Sequence, residues 1–299
     1  MKIVRVLIVV VCLTALINFA SADNIRGINI DFVTIGNAGN GTDPATGNLH
    51  GAVGYNYSIG KYEVTNAQWN AFTTAAGAPT GNDGSYTTGS YFTGAQQPTN
   101  NVSWYEAAQF CNYLTSGDKS KGAYQFSGNN TNPGSFIGID RVSSISTYGT
   151  TYVLPTHDEW YKAAYYKPDG SGYSTYAYGT DTAPIAGVQS NHNDVIGKPW
   201  DVGTGTIEQN GTYDMMGNVW EWNETLFTNY SDGDVYRGAR GGSFTTSGHD
   251  YYLASSWLNG RYPEFEHYSF GFRVAEIPEP CSLVLLSLGG LALLGRRRK

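Results

Sequence analysis

The chain has 299 residues, with 18 Lys+Arg against 25 Asp+Glu and a formal net charge of −7. That balance excludes nucleic acid as the expected partner and argues against an anionic membrane surface, because both select for clustered cations. Aromatic residues (14%) are as frequent as charged ones, too many for a disordered chain, and 38 Gly with 23 Tyr predict ordered loops over a tyrosine-filled interior.

In chain order, Lys2 and Arg5 form a positive start, Val6 to Leu16 is apolar, and Ala20-Ser21-Ala22 is a small-residue cleavage site. This is the pattern of an export signal over residues 1–22, with the mature chain beginning at Asp23. A retained N-terminal anchor is the bland alternative. Alternation over 28–35 predicts a strand, and 55–63 a second. Three capping boxes then announce helices: Thr65 with Gln68, Ser103 with Glu106, and Thr156 with Glu159. Cys111 falls on the second helix and reads as a small buried hydrophobe; the other cysteines, Cys12 and Cys281, lie in the terminal segments, so the domain has no internal disulfide. Tyr152-Val153-Leu154 leads into the third helix. Final strands are expected over Arg240–Thr245 and Phe270–Ala275. Long polar stretches at 77–100, 116–150, 167–212 and 228–239 predict a fold built around loops.

The chain ends in Pro278-Glu279-Pro280, an uncharged span from Cys281 to Leu294, and Arg296-Arg297-Arg298-Lys299. Residues 281–294 would make a helix of about 21 Å at roughly 1.5 Å per residue. A bilayer core of about 30 Å wants more, so a transient anchor fits better than an ordinary tail anchor. Six of the 18 Lys+Arg and one of the 25 Asp+Glu lie in the two terminal segments, which leaves 12 against 24 in the domain 23–276 and its edge, a formal −12.

Within the domain, Asp214 and Glu221 offer carboxylate oxygens, and the carbonyls of Gly217 and Val219 can turn toward the same centre if the chain curls. Oxygen-only ligation of that kind suits calcium. The alternatives are two carboxylates satisfied by backbone N–H groups, or a general acid–base pair. The five histidines (His50, His157, His192, His249, His267) show no two-ligand spacing. Ser243 has no matching base, and the Gly-rich run 36–41 lacks a phosphate-loop Lys.

Two resemblances add to this reading. The tripeptide, apolar span and basic end resemble the PEP-CTERM sorting signal of Gram-negative bacteria. That implies recognition of Pro278, Glu279 and Pro280 by an exosortase-type membrane protease, with Arg296, Arg297 and Arg298 as the basic end. It implies delivery to the cell surface or exopolysaccharide matrix after transient membrane contact. Second, six motifs in order resemble the sulfatase-modifying-factor (formylglycine-generating-enzyme) domain over roughly 30–276. They are Tyr62-Glu63-Val64-Thr65-Asn66, Pro98 to Trp104, Leu154 to Trp160, Tyr213 to Trp222, Arg240 to Phe244, and Gly271-Phe272-Arg273. The resemblance implies an α+β fold with little regular secondary structure and long loops, related to C-type lectins. Formylglycine chemistry in that family uses two copper-binding thiolates, and their positions hold Thr246 and Tyr251 here. Ala254 and Leu258 stand about where many relatives carry arginines. No copper and no formylglycine formation are therefore expected. The histidine-bearing helical domain of iron-using relatives has no counterpart. The resemblance also implies calcium at Asp214, Gly217, Val219 and Glu221, and a weaker second site at Asn191 with Asp194 as a candidate companion.

The reading is an exported, non-catalytic binding module, calcium-stabilised, taking a glycan such as exopolysaccharide, or a protein. Tyr and Trp stack on sugar faces, and Asn and Ser adapt as hydrogen-bond partners. The alternatives are a different chemistry in a cleft lined by Ser243, Thr246, Tyr251 and Arg261, or an accessory of an exported sulfatase or secretion system.

Overall fold

A computed structural model describes residues 21–79, 91–127, 135–228 and 233–278. The strands are β1 (Ser21–Ile25), β2 (Ile28–Ile35), β3 (Tyr57–Gly60), β4 (Tyr124–Phe126), β5 (Phe136–Ile139), β6 (Thr151–Val153), β7 (Trp220–Thr228), β8 (Val235–Arg240), β9 (Asn259–Arg261), β10 (Phe270–Gly271) and β11 (Ala275–Ile277). The helices are α1 (Asn66–Ala76), α2 (Trp104–Ser116), α3 (Arg141–Tyr148) and α4 (His157–Tyr165). One sheet runs β1-β2-β3-β11-β6, a second runs β10-β7-β8-β9, and β4-β5 is a separate ribbon. This is the mixed α+β architecture expected, with long loops between short elements.

The three capping boxes form as read. Thr65, Ser103 and Thr156 each accept from the backbone N–H three residues on, while Gln68, Glu106 and Glu159 reach back to the cap N–H. Losing such a cap typically costs about 1 kcal/mol. On α1, Trp69 and Phe72 point inward and meet Phe110 of α2 at ring-centroid distances of 5.7 and 5.3 Å. Phe272, just before β11, closes the group at 5.4 Å from Phe110. This aromatic wedge fastens both helices to the first sheet. Cys111 is fully buried beside it, and burial pushes its thiol well above the usual range.

Several boundaries differ from expectation. The strand expected over 55–63 is only β3, because the chain leaves the sheet at Lys61. The strand expected over Arg240–Thr245 instead ends at Arg240. Gly241 and Gly242 follow with φ of +94° and +76°, and a Cβ on Gly242 would sit 2.5 Å from Leu253 Cδ2. Only glycine makes that turn. The expected strand over Phe270–Ala275 is split, its first part pairing with β7 and its last with β3 and β6. The stretch 116–150, read as loop, contains β4, β5 and α3.

β1 pairs with β2 from Ser21 onward, so the expected new N-terminus at Asp23 lies on a sheet edge. Residues 1–20 and the segment from Glu279 onward lie outside the described residues, including most of both sorting signals. Among the described residues no helix is long and apolar enough to cross a membrane.

Candidate functional site

The segment before β7 is threaded tightly. Asp214, Gly217 and Asn218 have φ of 60°, 85° and 60°. A Cβ on Gly217 would lie 2.3 Å from the Asn191 carbonyl oxygen. Glycine is therefore required where this segment bridges to Asn191. From Trp220 on, the chain is regular strand and carries Glu221 into the centre of the molecule.

There Glu221 meets Arg273. The pair is bidentate, Nε to Oε2 at 2.6 Å and Nη2 to Oε1 at 2.5 Å, with neither side chain exposed. Trp160 Nε1 donates to Glu221 Oε2 at 2.7 Å. Arg273 also donates to the carbonyls of Gly60 (3.0 Å) and Tyr213 (2.9 Å), tying β3 to the threaded segment. Asp214 accepts from Trp200 Nε1 (2.8 Å) and Gly203 N (2.7 Å). Glu63 accepts from Asn218 Nδ2 (2.6 Å) and Val219 N (3.1 Å). Glu208 accepts from Thr212 Oγ1 (2.9 Å), and its Oε1 is buried without a partner.

Four buried carboxylates thus surround one buried guanidinium. Burial raises the Glu63 carboxyl well above the usual range, with Asp214 and Glu221 adding to the effect. Burial raises Asp214 as well, and pushes Glu208 up to about 8.

The calcium set expected from the resemblance (Asp214, Gly217, Val219, Glu221) does not fit this arrangement. Both oxygens of Glu221 are committed to Arg273, with Trp160 adding a bond, and a guanidinium at that distance would repel a cation. Asp214 is committed to Trp200 and Gly203. Asn191 differs: its Nδ2 donates to Lys198 O (2.9 Å) and Asn218 Oδ1 (3.2 Å), leaving Oδ1 buried with no partner. A hard, unpaired oxygen of that kind suits calcium. Asp194 is exposed and joins the fold through its backbone, donating to Phe244 O at 2.8 Å.

The expected cleft residues do not form a catalytic constellation. Ser243 is buried, its Oγ bonded to Thr245 Oγ1 at 2.9 Å, and its N–H donates to Thr246 Oγ1. Thr246 therefore serves the turn after the glycine pair. Tyr251 is 43% exposed and packs with His249, Tyr252 and Trp257. Arg261 lies apart on β9, donating to Asn259 and Gly260. Tyr91, Phe92, His267 and Tyr268 form a second contiguous ring group, and with Tyr91, Tyr251 and Tyr268 exposed these rings make an aromatic surface.

Sequence spacing missed one cluster. His50 and His157 lie with ring centroids 4.3 Å apart, tilted by 39°, beside Asp158. Arg240 Nη2, which can only donate, occupies His157 Nε2 at 2.9 Å. That uses the lone pair a metal would need, and burial with Arg240 holds both imidazoles below their ordinary value. A buried ion-pair group was also missed: Arg141 bridges Glu159 (2.8 Å) and Glu224 (3.0 Å).

The model for the sulfatase-modifying factor enzyme 1-like domain matches residues 31–277. Treponema denticola variable protein 1 has a similar fold at 24% identity, covering 86% of this chain and 97% of that one with a TM-score of 0.61. CarF is similar at 24% identity over 84% and 99%, TM-score 0.60, and PvdO from Pseudomonas aeruginosa at 18% over 83% and 94%, TM-score 0.55. A curated relative, a protein named chaperone protein LppX from Paenibacillus barcinonensis, is 28% identical over 64% of this chain and 70% of its own length. With the family's match spanning both sheets and the buried Glu221–Arg273 pair, the chain belongs to the sulfatase-modifying factor enzyme 1-like domain family.

Proposed function

We propose that this protein is an exported, non-catalytic binding module on the sulfatase-modifying-factor fold, placed at the cell surface or in the exopolysaccharide matrix. One observation carries the reading: the two positions that hold thiolates in formylglycine-forming relatives are Thr246, spent on a turn, and Tyr251, turned outward in an aromatic surface. Copper chemistry has no thiolate there. Exposed Tyr rings among polar loops, Tyr91, Tyr251, Tyr262 and Tyr268 among them, suit a glycan ligand. Calcium stabilisation belongs to the reading through Asn191 Oδ1 and the acid surplus around Arg273, with Glu221 left out of the ligand set. Export and delivery rest on the terminal segments, and an exosortase-type protease is the processing partner.

The test is retention of the full chain on matrix polysaccharide from a producing strain, with calcium and with chelator. Retention supports the module. A cysteine-containing sulfatase peptide converted to formylglycine by this chain would overturn it.

A second reading has its own support. The relative from Paenibacillus barcinonensis is named a chaperone, which favours an accessory of another exported protein. Co-purification of one defined protein, with no retention on polysaccharide, would select this reading.

A further inference from the structure

A cleft of about 540 Å³ opens between the end of β2, Lys61 and the loop at 207–211. Its size is that of a small-ligand pocket. Gln209 lines it, but its amide is spent on Ala164 O and Ser174 Oγ with Oε1 buried. Asn37, Asn56, Asn210, Tyr166 and Lys61 are also among the residues that line it, and no Asp or Glu does. In a chain with 25 acids and a net charge of −7, that is a local reversal of sign.

The Lys61 amine lies 5.3 and 5.5 Å from the ring centroids of Tyr62 and Tyr213, and makes no ion pair among the described residues. A second amine lies beneath. Lys162 is fully buried, donates to the Asn37 carbonyl at 3.0 Å, and sits 5.9 Å from the Tyr166 ring, again with no carboxylate partner among the described residues. Lys162 does not line the cleft and burial lowers its amine to about 8, so Lys61, without an internal counter-ion among the described residues, is the charge that leaves this cleft short of negative charge.

The amides are held in place before any ligand arrives. Asn37 Nδ2 donates to Pro168 O, and Asn210 Nδ2 donates to the carbonyls of Ala163 and Tyr166 at 2.9 and 2.7 Å. Gln209 Nε2 is fixed to Ala164 O at 2.7 Å. Fixed side chains lose little freedom on binding. Amides match sugar hydroxyls, a tyrosine ring matches the C–H face of a pyranose, and an unpaired lysine matches a carboxylate.

We propose that this cleft, bounded by Lys61, Tyr166 and Asn210, binds a saccharide unit carrying a carboxylate, a uronic-acid residue of an acidic polysaccharide. The proposal deepens the glycan-binding reading and rests on it. It gives the aromatic surface of Tyr91, Tyr251 and Tyr268 no part in charge recognition.

The test compares tetragalacturonate with neutral maltotetraose by isothermal titration on the full chain, as wild type, Lys61→Met and Lys61→Arg. Wild type is expected to bind tetragalacturonate at least about tenfold more tightly than maltotetraose. Lys61→Met should lose about tenfold or more, Lys61→Arg should keep most of the affinity, and melting temperatures should agree within a few degrees. Equal binding of the two oligosaccharides, or a Lys61→Met variant that binds tetragalacturonate like wild type, overturns the proposal. Retention on matrix polysaccharide without any tetragalacturonate binding overturns the cleft and leaves the binding module standing. Failure on both overturns both.

Discussion

Glu208 gives the sharpest test of the buried charge cluster. It is 4% exposed, with one oxygen accepting from Thr212 and Met215 N and the other without a partner. Burial raises its carboxyl from 4.5 to about 8. A group whose folded-state pKa is raised contributes stability that is complete below its unfolded pKa and is lost as pH rises through the folded one. The window is therefore about pH 4.5 to 8. Near pH 6 to 7 the folded state holds close to one extra proton, a slope near 1.4 kcal/mol per pH unit that falls to about half of that at pH 8. Integrated from pH 5 to 8 with these two values the loss is about 3 kcal/mol, and an error of one unit in the folded pKa moves it by up to ~1 kcal/mol. For a domain of this size that is roughly 6–12 °C in Tm. Glu208→Gln keeps an acceptor for Thr212 and does not titrate. Urea unfolding of wild type and variant at several pH values should show the wild type losing about 3 kcal/mol more than the variant from pH 5 to 8. Parallel profiles would refute the assignment. Glu63 and Asp214 slope the same way in both proteins and cancel in the difference.

Arg273→Met leaves Glu221 buried and unpaired, and should cost about 3–5 kcal/mol; a loss under 1 kcal/mol would show that the pair is not what holds β7 to β3. Saturating calcium should raise the wild-type Tm, by about 2.7 kcal/mol of stability at a hundredfold excess over Kd, and Asn191→Ala should abolish the rise. No shift in wild type removes calcium from the account. Acid should destabilise through His157: its folded-state pKa is depressed, so stability present above the ordinary histidine value is lost as pH falls below it, and His157→Gln should flatten that limb. Replacing Pro278, Glu279 and Pro280 by Ala should leave the tail uncleaved on immunoblots; normal processing would end the sorting assignment.

Helix starts were legible because a capping box is local. Thr65, Ser103 and Thr156 each need only a partner three residues away. The strand end before Gly241-Gly242 is less legible. Arg240 to Thr245 alternates well enough to read as one strand, but Gly242 Cβ space is taken by Leu253, a contact eleven residues distant that no local pattern reports. Between Asp214 and Glu221 a curl is expected to bring the calcium ligands together, and Gly217 and Asn218 do turn; the turn ends two residues later, at Trp220, where parallel pairing with Phe270 takes over.

The same locality explains the calcium expectation. Read along the sequence, Asp214 and Glu221 are the acids of one short segment and look like two ligands of one ion. Their partners come from elsewhere: Trp200 and Gly203 for one, Trp160 and Arg273 for the other. Arg273 stood in the sequence as the last residue of a motif, 52 positions from Glu221. The cation that this segment requires is thus supplied by the chain itself, at least for Glu221. A single guanidinium cannot balance Glu63, Glu208, Asp214 and Glu221 together, so the remaining charge must be removed by protons or by an added ion. The two remedies separate experimentally. Protons predict stability that falls with rising pH and is indifferent to calcium, whereas an ion at Asn191 predicts a calcium-dependent rise in stability that Asn191→Ala removes.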